Sequence, residues 1–232
     1  MVTNRLDLIE KKELIPHVYL FQFQVEKKIS YTPGQYMVLQ IDARIFRSYS
    51  IVNLNESEPQ NLTLLIDTKI GGPASFFFEK MAIGENVNLI GNPVGKMVIK
   101  PTPNAKVFVA TGTGLAPFIP MIATALHANP QEKISLLFGS RQHKEDYSEQ
   151  FFQEFLNEKY PNFHILHCLS RHEGELPQKC HSGRVTQILE TQIQHYANTE
   201  FYLCGNPAMV EDAKKLLLEK GAGHIHGEKY GN

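Results

Sequence analysis

The chain has 232 residues, enough for one large domain or two small ones; at 42% hydrophobic and 20% charged it has the composition of an ordinary globular protein. A formal net charge of −1 with no long basic run gives no electrostatic footing for nucleic acid. Three cysteines, Cys168, Cys180 and Cys204, without any C-x-x-C spacing, argue against a zinc site or a four-thiolate iron–sulfur cluster built within this chain.

The first residues, "MVTNRLDLIEKKEL", carry charges where a signal peptide needs an apolar core. The lysine pairs in "EKKEL" and "VEKKIS" are flanked by acids and read as solvated strand ends. No stretch is long and apolar enough to cross a bilayer; the nearest, "VFVATGTGLAPFIPMIATAL", is broken by Gly and Pro. A cytoplasmic protein with no membrane partner is therefore expected.

Strand patterns follow. "HVYLFQFQV" alternates, with Tyr19, Phe21, Phe23 and Val25 on one apolar face. "TPGQYMVLQI" opens on a Pro-Gly turn, and "FRSYSIVN", "NLTLLIDT" and "ENVNLIG" complete a set of short strands separated by turn signals, the pattern of an antiparallel barrel or sandwich. One helix interrupts them, "PASFFFEKM", with Pro73 suited to its first position. The strand "FRSYSIVN" is unusually polar: alternation places Arg47, Tyr49 and Ile51 on one face and Ser48, Ser50 and Val52 on the other. An arginine beside a tyrosine on a half-buried face needs an anion or a hydrogen-bond partner, or else a salt bridge on a solvated face.

After "KPTPNAK" the pattern changes. "KVFVAT", "ISLLFGS", "FHILHCL" and "EFYLC" are strands apolar on both faces; "APFIPMIATALHAN", "YSEQFFQEFLNEK", "RVTQILETQIQHY" and "PAMVEDAKKLLLEK" are amphipathic helices between and after them. That alternation predicts a parallel sheet covered on both sides, a doubly wound α/β domain. The predicted organisation is an antiparallel β-barrel over 1–101 and an α/β domain over 102–232, with the Pro-rich segment as the seam.

Ligands of open parallel sheets bind at the carboxyl ends of the strands. There stand "TGTGLAP" (111–117), whose Gly112 and Gly114 permit close backbone approach at a helix start, and "CGNPAMV" (204–210), another tight glycine turn. The motif is not G-x-G-x-x-G. "GSRQHKEDY" carries Arg141 and "LSRHEG" carries Ser170 and Arg171, with Lys179 and Arg184 downstream; an arginine at such an end suits a 2'-phosphate, which favours NADP(H) over NAD(H). "HIH" sets His224 and His226 on one face of a possible strand and reads as a surface pair, so no metal is expected.

"RSYS" in a barrel, then "GGPAS" opening a helix, then "TGTGLAP" and "CGNPAMV", in that order over nearly the whole chain, resemble the ferredoxin–NADP reductase family, with the nearest look to its bacterial ferredoxin/flavodoxin–NADP reductases. The resemblance implies a barrel that binds FAD and an α/β domain that binds NADP(H). It implies that Arg47 pairs with the flavin phosphate, that Tyr49 lies against the isoalloxazine with Ser48 beside it, and that Ser50 hydrogen-bonds near flavin N5. Backbone groups of Leu65, Ile66 and Asp67 line the flavin, while Gly72, Ala74 and Ser75 hold phosphate. Thr113 and Gly114 sit between flavin and nicotinamide; Arg141, Ser170, Arg171, Lys179 and Arg184 grip the adenosine phosphate end; Cys204 and Gly205 flank the nicotinamide. In "HGEKYGN", Glu228 and Tyr230 match the family's acid and flavin-covering aromatic, so the C-terminal segment is expected to be a tail over the flavin, with Gly231 and Asn232 beyond the aromatic. Ser50, Cys204, Glu228 and Tyr230 then carry the catalytic roles of orienting the rings and moving protons.

The implied reaction is hydride transfer between NADP(H) and FAD, with single electrons exchanged with ferredoxin or flavodoxin by a monomer. Alternatives are an NAD(P)H–flavin reductase that releases reduced flavin, the reductase partner of an oxygenase, and a non-catalytic nucleotide-sensing module.

Overall fold

The computed structural model describes residues 3–54, 60–69 and 71–230. The chain forms two compact units: Met1–Val98 with Ala116–Met121, and Ile99–Leu115 with Ile122–Asn232.

The first unit holds β1 (Thr3–Ile15), β2 (Val18–Val25), β3 (Tyr36–Gln40), β4 (Phe46–Ser50), β5 (Asn61–Asp67) and β6 (Asn86–Val94) in the spatial order β4-β3-β6-β1-β2-β5. Every neighbouring pair is antiparallel. β1 is a strand that its charged sequence hides. Its pairing with β2 shifts register between Leu8 and Glu10 and again between Glu13 and Ile15, and such bulges erase the simple alternation that reveals a strand. The expected face of β2 is the core face: Phe21 and Phe23 are fully buried with Leu6, Leu8, Met37, Leu39, Leu62 and Leu64 around them. Each large side chain buried this way contributes roughly 1.5–3 kcal/mol. The turn before β3 needs its glycine: Gly34 has φ +98, and a Cβ there would lie 1.8 Å from Met97 O.

The end strands β4 and β5 meet at one isolated bridge, Ile51 with Leu64, beside which Val52 N–H donates to Thr63 O at 3.0 Å. The sheet thus curls nearly into a barrel, and α1 (Pro73–Lys80) lies against it through buried Phe78, whose ring meets Phe21 and Tyr49 edge-on at 5.2 Å each.

The second unit is a six-stranded parallel sheet of β7 (Ala105–Thr111), β8 (Ile134–Ser140), β9 (Phe163–Leu169), β10 (Cys180–Ser182), β11 (Thr199–Gly205) and β12 (His224–Lys229), ordered β10-β9-β8-β7-β11-β12. Three helices, α2 (Phe118–Ala128), α3 (Val185–Gln192) and α4 (Pro207–Glu219), accompany it. The order reverses between β7 and β11, the crevice where sheets of this kind bind ligands.

Two expectations about elements change. The helix predicted from "YSEQFFQEFLNEK" is two short 3-10 turns, Glu149–Phe151 and Gln153–Phe155. Here tertiary contacts override the helical period. Tyr147, Phe152 and Phe155 are buried, and Ser148 N–H and Oγ both donate to Asp146 Oδ1, at 2.9 and 2.6 Å. His167 on β9 is held between Asp146 Oδ2 at 2.6 Å and Glu149 Oε1 at 3.1 Å, which clamps the segment in its non-helical path. The C-terminal segment expected as a tail is, through Lys229, a strand of the sheet. Gly231 and Asn232 lie outside the described residues. Among the described residues no helix is long and apolar enough to cross a membrane, and no cluster of three metal-ligating side chains occurs.

Candidate functional site

In the first unit the polar strand lies beside a parted seam. The antiparallel register set by Ile51 and Leu64 would, if continued, bring Ser50, Tyr49 and Ser48 opposite Leu65, Ile66 and Asp67. The two strands are not laddered there, although each is paired along its other edge. An edge that is not zipped to its neighbour offers backbone donors and acceptors to a ligand. The six residues singled out in the two sequence stretches therefore lie on the two strands that flank this unladdered stretch.

Arg47, Ser48 and Tyr49 follow the expected alternation only in part. Arg47 is exposed, its Nη1 donating to Phe46 O at 2.9 Å, so the guanidinium is available to an anion. Tyr49 is half-buried against Phe78, and that burial pushes its hydroxyl up to about 12, against the opposing pull of Arg47, so it stays protonated. Ser50 is 3% exposed.

At the start of α1, Gly71 and Gly72 hold φ of +83 and +91, and a Cβ at either would meet nothing within 4 Å. Open space above two glycines, beside the first-turn amides of Ala74 and Ser75, is a cradle for phosphate oxygens. Ser75 Oγ donates to Gly71 O at 3.0 Å and so braces the cradle itself. An exposed arginine, a glycine cradle and a seam with unzipped edges fit the phosphate and ring of a flavin nucleotide.

Lys11 was invisible as a site-related residue. Its Nζ donates to Phe78 O, Glu79 O and Met81 O at 3.0, 2.7 and 3.2 Å, and sits over the rings of Tyr19 and Phe21. A cation on the last carbonyls of α1 opposes the negative end of its dipole. No local signal marks it, because its partners are 67 to 70 residues away.

In the second unit the turns after β7 and β11 interlock at the crevice. A Cβ at Gly114 would lie 2.3 Å from Cys204 O, and one at Gly205, whose φ is +134, would lie 2.4 Å from Thr111 Oγ1. Thr111 Oγ1 accepts the Asn206 N–H at 3.1 Å, a tie between the two turns that the sequence reading passed over in favour of Thr113. Asn206 in turn caps α4, accepting from Ala208 N–H at 3.0 Å.

Cys204, Glu228 and Tyr230 come together around β11. Cys204 pairs with Glu228 across the parallel ladder, Tyr230 N–H donates to Gly205 O at 2.8 Å, and the Tyr230 side chain hydrogen-bonds Cys204. Burial, reinforced by the Glu228 charge, drives the Cys204 thiol well up. Burial likewise raises the Glu228 carboxyl above its usual range. Cys204 is thereby kept as a thiol, and Glu228 holds its proton to a higher pH than an ordinary carboxyl.

The basic residues divide. Ser170 and Arg171 continue the β8–β9 ladder, their N–H groups donating to Ser140 O at 3.0 Å and Arg141 O at 2.8 Å. This sets Arg141, Ser170 and Arg171 side by side at the strand ends. Arg184 follows β10 at the same end, since Ser182 pairs with Leu169. Lys179, with φ +62, stands before β10 and so at its opposite end, separated from the other four along the strand.

The two units match separate descriptions. Residues 5–99 match the oxidoreductase FAD-binding domain and residues 108–215 the oxidoreductase NAD-binding domain. A FAD-binding barrel joined to a nicotinamide-nucleotide-binding sheet defines a flavin-dependent oxidoreductase. The chain belongs to the ferredoxin reductase family of these enzymes. It is 29% identical over 213 residues to the ferredoxin–NAD(P)(+) reductase component of the naphthalene 1,2-dioxygenase/salicylate 5-hydroxylase systems of a Ralstonia species, covering 90% of this chain and 63% of that one. It is 30% identical over 196 residues to the toluate 1,2-dioxygenase electron transfer component of Pseudomonas putida, covering 84% and 56%. The chain thus spans less than two thirds of the length of these relatives. Among solved structures it resembles the Amycolatopsis reductase GcoB, with a TM-score of 0.88, 25% identity and coverage of 99% and 70%. The fold also matches a ferredoxin NADP+ reductase from Neisseria gonorrhoeae solved with FAD and NADP, with a TM-score of 0.83, 22% identity and coverage of 98% of both chains.

Proposed function

We propose that this chain is an NADPH-dependent reductase of the ferredoxin/flavodoxin type, in which FAD, when bound, takes hydride from the nicotinamide and gives up electrons one at a time to a protein carrier. The observation that supports this most is the parted seam, flanked by the two stretches that resemble the family's flavin strands.

The roles of the chain's own residues follow from their chemistry. Arg47 neutralises phosphate while Gly72, Ala74 and Ser75 receive it on backbone amides. Tyr49, held edge-on to Phe78, provides a flat protonated phenol for the isoalloxazine, and Ser50 a buried hydroxyl for N5. Leu65, Ile66 and Asp67 supply backbone hydrogen bonds from the opposite strand. On the second unit, Thr113, Gly114, Cys204 and Gly205 shape the nicotinamide turn. The resemblance assigns proton movement at N5 to Cys204 and Glu228, whose pKa values burial raises, and would make Tyr230, hydrogen-bonded to Cys204, the aromatic that stacks on the flavin when it is bound. Arg141, Ser170, Arg171 and Arg184 favour the 2'-phosphate of NADP(H); Lys179 contributes least, given its place on β10.

The names of the relatives favour a one-electron carrier that serves an oxygenase, a ferredoxin before a flavodoxin. Three free thiols suit a reducing compartment, the cytoplasm, and we read the chain as a monomer.

The test is the visible spectrum of the gel-filtered protein during anaerobic addition of NADPH and, separately, NADH. Bound flavin bleached rapidly by NADPH and slowly by NADH is the expected result. Equal bleaching removes the 2'-phosphate assignment and keeps the flavin site. A colourless protein that turns over added flavin replaces this reading with a flavin reductase.

A further inference from the structure

The peptide between Gly205 and Asn206, in the turn after β11, is held at both ends. Its carbonyl, on Gly205, accepts the Tyr230 N–H at 2.8 Å, and its N–H, on Asn206, donates to Thr111 Oγ1 at 3.1 Å. One peptide unit thus joins the last residue of β7 to the residue that follows β12. Gly205 has φ +134, and with no Cβ to resist, the plane of the next peptide turns over at low cost. Asn206 is anchored separately, its Oδ1 accepting the N–H groups of Ala208 and Met209 at 3.0 and 3.4 Å. The orientation of this peptide is therefore set by its two hydrogen-bond partners.

Thr111 presents its acceptor in a fixed direction. It pairs with Gly139 on β8, and its Cγ2 lies 3.0 Å from where a Cβ at Gly139 would stand, so the methyl occupies room that only glycine leaves. With the methyl over β8, the hydroxyl oxygen faces β11, 2.4 Å from where a Cβ at Gly205 would stand. A β-branched side chain is stiff about χ1, so little freedom is lost in making the bond. Tyr230 is tied to the same turn a second time, by the hydrogen bond of its side chain to Cys204.

We propose that Thr111 is a positioning residue for Tyr230, whose backbone it fixes through the Gly205–Asn206 peptide, an inference that rests on the reading of Tyr230 as the flavin-stacking aromatic. The bond accepted from the peptide N–H and the bond received by its carbonyl polarise one another, so loss of the first loosens the second. Thr111 touches neither ring in this role; it acts through backbone.

The experiment follows amide hydrogen exchange by NMR on the full chain, without flavin and with FAD. It compares wild type with Thr111→Ser, which keeps the acceptor, and Thr111→Val, which replaces it by a methyl. In both states Thr111→Val should speed exchange of the Asn206 and Tyr230 amides together by about tenfold, the worth of one hydrogen bond, and Thr111→Ser should stay near wild type. Thr111→Ala removes the acceptor without setting a methyl against Gly205, and it takes the place of the valine variant if that does not fold. In the FAD-loaded protein the flavin emission, quenched by a stacked tyrosine, should rise in Thr111→Val and in Tyr230→Ala, and the double variant should match Tyr230→Ala. Faster exchange at Asn206 with Tyr230 unchanged, or equal effects of serine and valine, overturns the relay. Emission that Thr111→Val leaves unchanged where Tyr230→Ala raises it, or raises further in the double variant, overturns the positioning role. Failure to bind flavin, or emission indifferent to Tyr230→Ala, overturns the flavin-stacking reading and the positioning role with it; the exchange rates of the flavin-free protein tell this apart from a broken relay.

Discussion

Ser50 and Tyr49 are adjacent and meet different surroundings, and the physical reason sits in single backbone positions. Alternation sends neighbouring side chains to opposite faces, and Ser50 lies at the last rung of β4 before the chain crosses to β5 at Ile51. Glycines do comparable work in the second unit. Gly114 admits the Cys204 carbonyl where any side chain would collide with backbone. Gly114→Ala should therefore displace the β7 turn, raise the KM for NADPH at least about tenfold and leave the flavin spectrum unchanged; steady-state kinetics and absorbance together check this. The legible part at this scale was residue identity. That "TGTGLAP" and "CGNPAMV" mark strand ends follows from glycine's freedom, whereas the lock of Thr111 on Asn206 joins residues 95 apart and has no local signature.

At the scale of elements, two devices hold segments in place. Lys11 ties β1 to the last turn of α1, and the opposite end of that helix is the glycine turn proposed above to hold phosphate. Burial lowers the pKa of this ammonium, against the pull of Glu79 and Glu13, so its carbonyl bonds compensate desolvation. Lys11→Met should cost about 1–3 kcal/mol in a denaturant melt. It should also weaken FAD and FMN more than riboflavin, which has no phosphate for the loosened helix to hold. The second device is His167 between Asp146 and Glu149. For Asp146, burial alone would raise the pKa, but the hydrogen bonds from His167 and Ser148 outweigh it and lower the value below 3.8. For His167, burial would lower the pKa, and Asp146 and Glu149 outweigh it and raise the value above 6.5. The aspartate's contribution is present above its ordinary pKa and lost as pH falls through the depressed folded value. The histidine's is full below 6.5 and lost as pH rises through the elevated one. The stabilisation therefore peaks between about 4 and 6.5 and declines on both sides. Asp146→Asn should lose roughly 3–5 kcal/mol near pH 6 and flatten that profile, read as melting temperature against pH. This clamp also explains the missing helix: "SEQFFQEF" has helical propensity, but the charges that pin it sit at Asp146 and on another strand.

At the scale of the whole molecule, each unit has a buried cluster of its own, and each is expected to carry its own ligand-linked stability. Leu6, Phe21, Met37 and Leu64 pack in one, and Val107, Leu137, Phe201 and Leu203 in the other. FAD at 100 times its Kd should stabilise the first unit by about 2.7 kcal/mol, and NADPH should act on the second. Calorimetry should resolve ligand-specific shifts of two transitions; a single transition moved equally by either ligand would show that the units unfold together.

What the sequence determined by itself is the division of labour: short alternating strands, then two-sided apolar strands between helices, then glycine turns at strand ends. These are local, since burial on one face or two writes its period directly into the chain. Only the tertiary structure decided that β1 is a strand despite its charges, that 149–155 is not a helix, that the C-terminal segment is the sixth strand of the sheet, and that Lys179 stands apart from Arg184. Each of those depends on partners distant in sequence, a bulged register, a buried charge pair, a parallel neighbour or a strand polarity, and periodicity within one segment holds no record of them.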